Sequence, residues 1–295
     1  MRLRNFFVLV LVFVLPLLAV SAYADTPDIG TAAPFAVLGA STVTNTGPTT
    51  LTGSLGVSPG SAITGFFGTT ANDGPGTFTG AAHQADAVAG AAQADANTAY
   101  LAAKGLAPTQ VLTGQDLGGM TLTPGVYFFS SSAQLTGALT LDALGSNTAQ
   151  WTFQIGSTLT TASASSVTVI DAAAGGFTGN GGITWQVGSS ATLGSTTTFL
   201  GTIIAKASDT LVTGATDGCG RVIALNGAVT LDTNVISTGC TVTAGGPGGS
   251  GGTITPPPAP HVPEPGTFGL LSVGLFAMVL LTFRKSRVSS LSLSC

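Results

Sequence analysis

Charge is what this sequence has least of: only 7% of its 295 residues are Asp, Glu, Lys or Arg, where soluble domains usually carry about a quarter. Thr, Ser, Asn and Gly must therefore supply the solvent-facing surface. The one glutamate, Glu264, lies close to the C-terminus. A glycosidase-type carboxylate pair would have to come from two Asp, and no spacing suggests one. There are two histidines, His83 and His261, and three cysteines, Cys219, Cys240 and Cys295. They are too few and too scattered for a zinc site, so no metal and no cofactor is expected. A Ser-His-Asp site would depend on His83, which reads as a surface residue on a helix together with Asp86. The glycine-rich run at 245–252 lacks the strand-to-helix context that phosphate binding needs. These absences read as a protein that is not an enzyme.

What the sequence does contain begins with two apolar ends. Arg2 and Arg4 precede an apolar run from Phe6 to Val20, and Ala22-Tyr23-Ala24 places small residues where a signal peptidase reads them. Residues 1–24 are expected to be a cleaved signal peptide, since the run is short for a retained membrane span. At the other end Pro263-Glu264-Pro265 is followed by Gly266 to Phe283, uncharged and apolar, and then by Arg284, Lys285 and Arg287. At 1.5 Å per residue this run is about 27 Å of helix, enough to span the bilayer core, with the basic cluster on the cytoplasmic side. The order of motif, span and basic tail at 262–287 resembles the PEP-CTERM sorting signal. That resemblance implies transient membrane anchoring and cleavage by an exosortase near Pro263-Glu264-Pro265. The tail at 288–295 is longer than the resemblance leads one to expect, and a permanent anchor is the alternative.

Between the ends, Asp25 to Pro265 holds all 12 acidic residues but only Lys104, Lys206 and Arg221 of the 8 basic ones. With no basic patch to neutralise phosphates, nucleic acid is not an expected partner. Residues 244–261, rich in Gly and then Pro, read as an extended linker. Residues 25–243 read as one domain of short strands interrupted by one Ala-rich helix at about 81–104, begun by Thr79 or Gly80 and ended by Gly105 and Pro108.

The strand-forming zone repeats. Gly201-Thr202-Ile203-Ile204-Ala205 aligns with Gly220-Arg221-Val222-Ile223-Ala224, Asp209-Thr210-Leu211 with Val229-Thr230-Leu231, and Thr152-Phe153-Gln154-Ile155 with Thr184-Trp185-Gln186-Val187. Irregular units of roughly 20 residues suit a β-solenoid, in which stacked coils bury an apolar side that no single coil can bury alone. A β-sandwich is the competing architecture. On solenoid geometry Cys219 and Cys240 fall on neighbouring coils, where a disulfide is permitted in an exported domain.

The blocks Phe35 to Ser41, Thr52 to Phe66, the helix ending in Ala102-Ala103, Thr121 to Phe129, Trp151 to Ile155 and Asn226 to Asp232 together resemble the bacterial and fungal ice-binding-protein-like family, in order, across most of Ala33 to Thr243. The resemblance implies a mainly β fold: a discontinuous right-handed β-solenoid of triangular cross-section with one long α-helix packed alongside. It also implies adsorption to an ice crystal surface through one flat face. Candidate ice-facing residues are Thr42, Thr44, Ser61, Thr192, Thr210, Thr230 and Asp232. The alternative role is a structural or adhesive protein of the cell envelope or exopolysaccharide matrix. Either way the protein is expected to be exported through the inner membrane, then secreted or held at the cell surface.

Overall fold

The computed structural model describes residues 27–173, 177–178, 182–239 and 241–242. Within them, successive coils each give one short strand to each of three sheets, called here faces a, b and c. Pairing within all three is parallel. That excludes a β-sandwich, whose sheets are antiparallel. Face a has nine strands: Ala82–Gln84, Ser54–Val57, Phe35–Gly39, Arg221–Ala224, Thr202–Ala205, Ile183–Val187, Trp151–Ile155, Gly125–Phe129 and Gln110–Val111, in that spatial order. Faces b and c have seven and eight strands, and Phe177–Thr178 pairs antiparallel with Thr241–Val242 in a separate two-stranded sheet.

The stacking is discontinuous. Strand Phe35–Gly39 adds to Arg221–Ala224, with Val37 beside Val222 and Leu38 beside Ile223, so the N-terminal coils continue the solenoid past its last C-terminal coil. The repeat seen in the sequence is the physical coil: Ile203 pairs with Val222, Thr152 with Thr184, and Thr210 with Thr230.

Alternation along each strand sends apolar side chains inward. Tyr127, Phe153 and Trp185 stack on successive coils, the last two with centroids 3.9 Å apart and rings 8° from parallel. Trp185 donates its Nε1 hydrogen to the Leu200 carbonyl at 2.9 Å, so the indole is buried with its polar atom satisfied.

The helix, α1, spans Ala87–Gly105, starting six residues later than the sequence suggests. Residues Ala82–Gln84 are instead the outermost strand of face a, since Leu55, Gly56 and Val57 offer them a pairing edge. The N-cap is Asp86, which accepts a hydrogen bond from the Ala89 amide at 2.9 Å, in place of Thr79 or Gly80. His83 is thus a strand residue, and its Nδ1 lies 2.7 Å from Asp86 Oδ2. Helix α1 buries Ala89, Ala92, Ala96, Ala99 and Tyr100 against Phe35, Leu38, Ile204 and Ile223 of face a. Methyl side chains let the helix lie close on the sheet. Gln93 Nε2 pins it by donating to the carbonyls of Gly39 and Ala224, and Gln154 Nε2 caps its C-terminal end by donating at 2.8 Å to those of Ala103 and Leu106.

Cys219 is fully buried and disulfide-bonded; Cys240 lies outside the described residues. So do the expected signal peptide at 1–24, the linker at 244–261, Pro263-Glu264-Pro265 and the apolar run Gly266 to Phe283. Among the described residues no helix is long and apolar enough to cross a membrane, and no cluster of three metal-ligating side chains occurs.

Candidate functional site

With α1 over face a, faces b and c remain open. Face b runs Ala133–Leu135, Leu159–Thr161, Ala191–Leu193, Asp209–Leu211, Val229–Leu231, Thr42–Asn45 and Ala62–Thr64. In each strand the central outward residue meets its counterpart in register. Gln134, Thr160, Thr192, Thr210, Thr230, Thr44 and Thr64 form one unbroken column. Six consecutive rungs thus carry threonine, about 4.8 Å apart as parallel strands dictate. A second column, two residues earlier along each strand, carries small side chains: Thr42 pairs with Ala62, and Ser132, Thr158, Ser190, Ser208 and Ala228 occupy the corresponding place in the other coils. Thr158 Oγ1 donates to Ser132 Oγ at 2.8 Å, so hydroxyls along this column also order one another.

The face is braced from beneath. At the corner between faces b and c, Asn234 Nδ2 donates to the carbonyls of Val212 and Ala215, and Asn45 Nδ2 to those of Gly47 and Gly65. The buried hydroxyls of Thr161 and Thr197 lie 2.8 Å apart. Buried polar groups satisfied this way hold the turns in single positions.

Of the sequence candidates, Thr44, Thr192, Thr210 and Thr230 are brought into the one column and Thr42 into its neighbour. Ser61 is exposed in the turn before Ala62 and off both columns. Asp232 stands at the b–c corner, where its carboxylate accepts from the hydroxyls of Thr213 and Thr233. Those two bonds, Thr213 first, hold its pKa below the usual carboxylate range. Thr160 and Thr64 were missed by sequence reading. Thr160 lies the same 32 positions before Thr192 as Thr152 before Thr184, so the recognised repeat contained the signal.

Face c is less uniform. Its comparable column reads Ala138, Ser166, Thr198, Thr216, Val235, Thr50 and Thr77, broken by a valine and ending in an alanine.

The sequence profile described as Ice-binding-like matches residues 37–237. The chain belongs to the ice-binding-like family. An "Ice-binding protein" of Nostoc sp. (strain HG1) is 49% identical over 263 residues, covering 89% of this chain and 88% of the relative. One of Flavobacterium frigoris (strain PS1) is 34% identical over 225 residues, covering 72% and 76%. Among solved structures, an ice-binding protein of the Antarctic ascomycete Antarctomyces psychrotrophicus superimposes with a TM-score of 0.65 at 36% identity, covering 72% of this chain and 98% of that one. One from an Antarctic biological consortium gives 0.65 at 43% identity, covering 72% and 92%. These solenoid neighbours agree with the mainly β architecture of three parallel sheets and one helix found here. Residues 261–285 match the PEP-CTERM protein-sorting motif, which implies export with secretion or a cell-surface location. Among the described residues the outward columns of face b carry hydroxyl, methyl and one amide.

Proposed function

We propose that the protein is an exported, non-enzymatic ice-binding protein that adsorbs to ice through face b and inhibits crystal growth or recrystallisation. The threonine column from Thr160 to Thr64 carries this reading. β-Branched side chains on a stiff strand have few rotamers to lose. A periodic array of hydroxyls and methyls can therefore hold a water layer in fixed register at small entropic cost, and that layer can join a growing crystal. Face a cannot serve, being covered by α1, and the column of face c is interrupted at Val235.

The sequence pattern supports a processing route: cleavage by signal peptidase after Ala24, transient anchoring by Gly266 to Phe283, and exosortase cleavage near Pro263-Glu264-Pro265. On this reading 25–243 is the working domain, 244–261 its linker and 262–287 the sorting signal. The alternative function is that of a structural or adhesive protein of the cell envelope or exopolysaccharide matrix, and the two are not exclusive.

The test is ice recrystallisation inhibition by the purified protein beside Thr210→Tyr. A phenol ring on the central rung breaks the flat array without touching the core. Activity in the parent and at least a tenfold loss in the variant is expected; a parent inactive at micromolar concentration overturns the reading.

A further inference from the structure

Between the C-terminal end of α1 and face a lies a cavity of about 220 Å³ lined by Tyr100, Lys104, Phe128, Gln154, Gln186 and Gly188, with Ile155 and Gly156 completing it. The outward column of face a beneath the helix is apolar at Ile204, Ile223 and Leu38, which pack on α1, but turns to amide at Gln154 and Gln186 on successive coils. Both glutamines are more than nine-tenths buried. Gln154 commits its amide nitrogen to the helix end, and Gln186 faces the Tyr100 hydroxyl. Phe128 continues the column as a half-exposed ring, in register with Gln154.

The charge around this cavity is unlike that of the rest of the domain. Of its three basic residues, Arg221 is buried and donates its Nε hydrogen to the Ala33 carbonyl. Of the other two, Lys104 belongs to the lining of this cavity and Lys206 lies beside it. Lys104 lines it, and Lys206 Nζ lies 5.6 Å from the centroid of the Tyr100 ring in the cavity wall. Lys206 is placed by the backbone: Gly156, Gly188 and Lys206 take equivalent positions on three successive coils, their amides donating to the carbonyls of Phe129, Ile155 and Val187. Two glycines thus leave the floor bare up to the lysine.

We propose that this cavity is a binding site for an acidic sugar, a uronate unit of an anionic polysaccharide. The parts match that chemistry. An aromatic face at Phe128 covers the apolar side of a pyranose ring. The Gln154 amide oxygen, whose nitrogen is committed to the helix end, can accept from a ring hydroxyl, and the Lys104 ammonium, with that of Lys206 beside the cavity, meets the carboxylate. The volume accommodates one sugar unit rather than a chain, so a polymer would be held by a single residue or its end. This site is on face a and the open threonine column on face b, and the inference does not rest on the ice-binding reading.

The test is calorimetric titration of the purified full chain, in mild detergent at low salt, with tetragalacturonate, and with cellotetraose and inorganic phosphate as comparisons. Saturable binding of tetragalacturonate, weakened at least tenfold in Lys104→Ala/Lys206→Ala and at least fivefold in Phe128→Ala, is expected, with neither comparison ligand binding comparably. Circular dichroism and the melting temperature of the same variants should stay at the parent level, which shows that they fold. Absence of tetragalacturonate binding, binding indifferent to the lysine pair, or equal binding of phosphate would each overturn the proposal.

Discussion

Thr44 and Thr230 are direct neighbours on face b, in the register that pairs Val43 with Val229, although they come from opposite ends of the domain sequence. The threonine column therefore runs without a step across the seam where the N-terminal coil docks on the last C-terminal one.

If the column acts as one surface, position in the chain is irrelevant to its effect. Thr44→Tyr should then lose recrystallisation inhibition as fully as Thr192→Tyr, by at least tenfold each. Thr168→Tyr on face c should retain it. Equal losses from all three would show that no one face is responsible.

Asp209 sits inward on the central strand of face b, fully buried, with neither carboxylate oxygen hydrogen-bonded to a described residue. Its neighbours in the same column are Ala191, Val229 and Val43. Burial raises its pKa well above the ordinary 3.8, so the folded state keeps a proton that the unfolded chain releases. Stability from this group is full below the unfolded pKa and falls as pH rises toward the folded one, by about 1.4 kcal/mol per pH unit at most. Asp209→Val should accordingly raise the melting temperature, more at pH 8 than at pH 5. Thermal scans at the two pH values check this, and an equal gain at both would refute the protonation argument.

Gln154 reaches the carbonyls of Ala103 and Leu106 from the sheet beneath α1. Gln154→Leu leaves helix-end acceptors without these donors, at about 1–3 kcal/mol. Amide hydrogen exchange should quicken in the last turn of α1 while the amides of Ala89 and Ala92 stay protected.

Cys219 is disulfide-bonded, and Cys240 is its expected partner. Alkylation of the unreduced protein followed by peptide mapping should give a linked Cys219–Cys240 pair and no labelled Cys219. Reduction should lower stability by about 3 kcal/mol.

Glu264 is the centre of the sorting motif. Replacing Pro263-Glu264-Pro265 by three alanines should shift the protein from the medium or outer surface to the inner-membrane fraction, with an unprocessed mass. Unchanged release would point to another cleavage site.

The fold was legible because the echo of Thr152–Val187 and Thr202–Ala224 is the coil itself, and because apolar residues alternate with Thr in strands such as Val229–Leu231 and Ser166–Ile170. The site was legible only in part. Thr42, Thr44, Thr192, Thr210 and Thr230 sit in recognisable strands, but which side of the solenoid they share depends on corner geometry, set by Asn45 and Asn234 through bonds to the adjacent coil. Ala82–Gln84 was lost to the helix because alanine suits α1 locally, whereas a sheet edge at Leu55 is visible only in three dimensions. Ser61 and Asp232 share the polarity of the column residues, but Ser61 lies three residues before Thr64 and Asp232 two after Thr230, both just beyond the ends of their strands.

The docking of Val37 on Val222 also sets an order of events in time. Phe35–Gly39 has one partner soon after it, Ser54–Val57, but its other edge stays open until Arg221–Ala224, in the last full coil, has been made. A chain wired in this way joins its two ends only when it is whole: the rungs from Thr160 to Thr230 can stack as they are made, and the seam to Thr44 comes last.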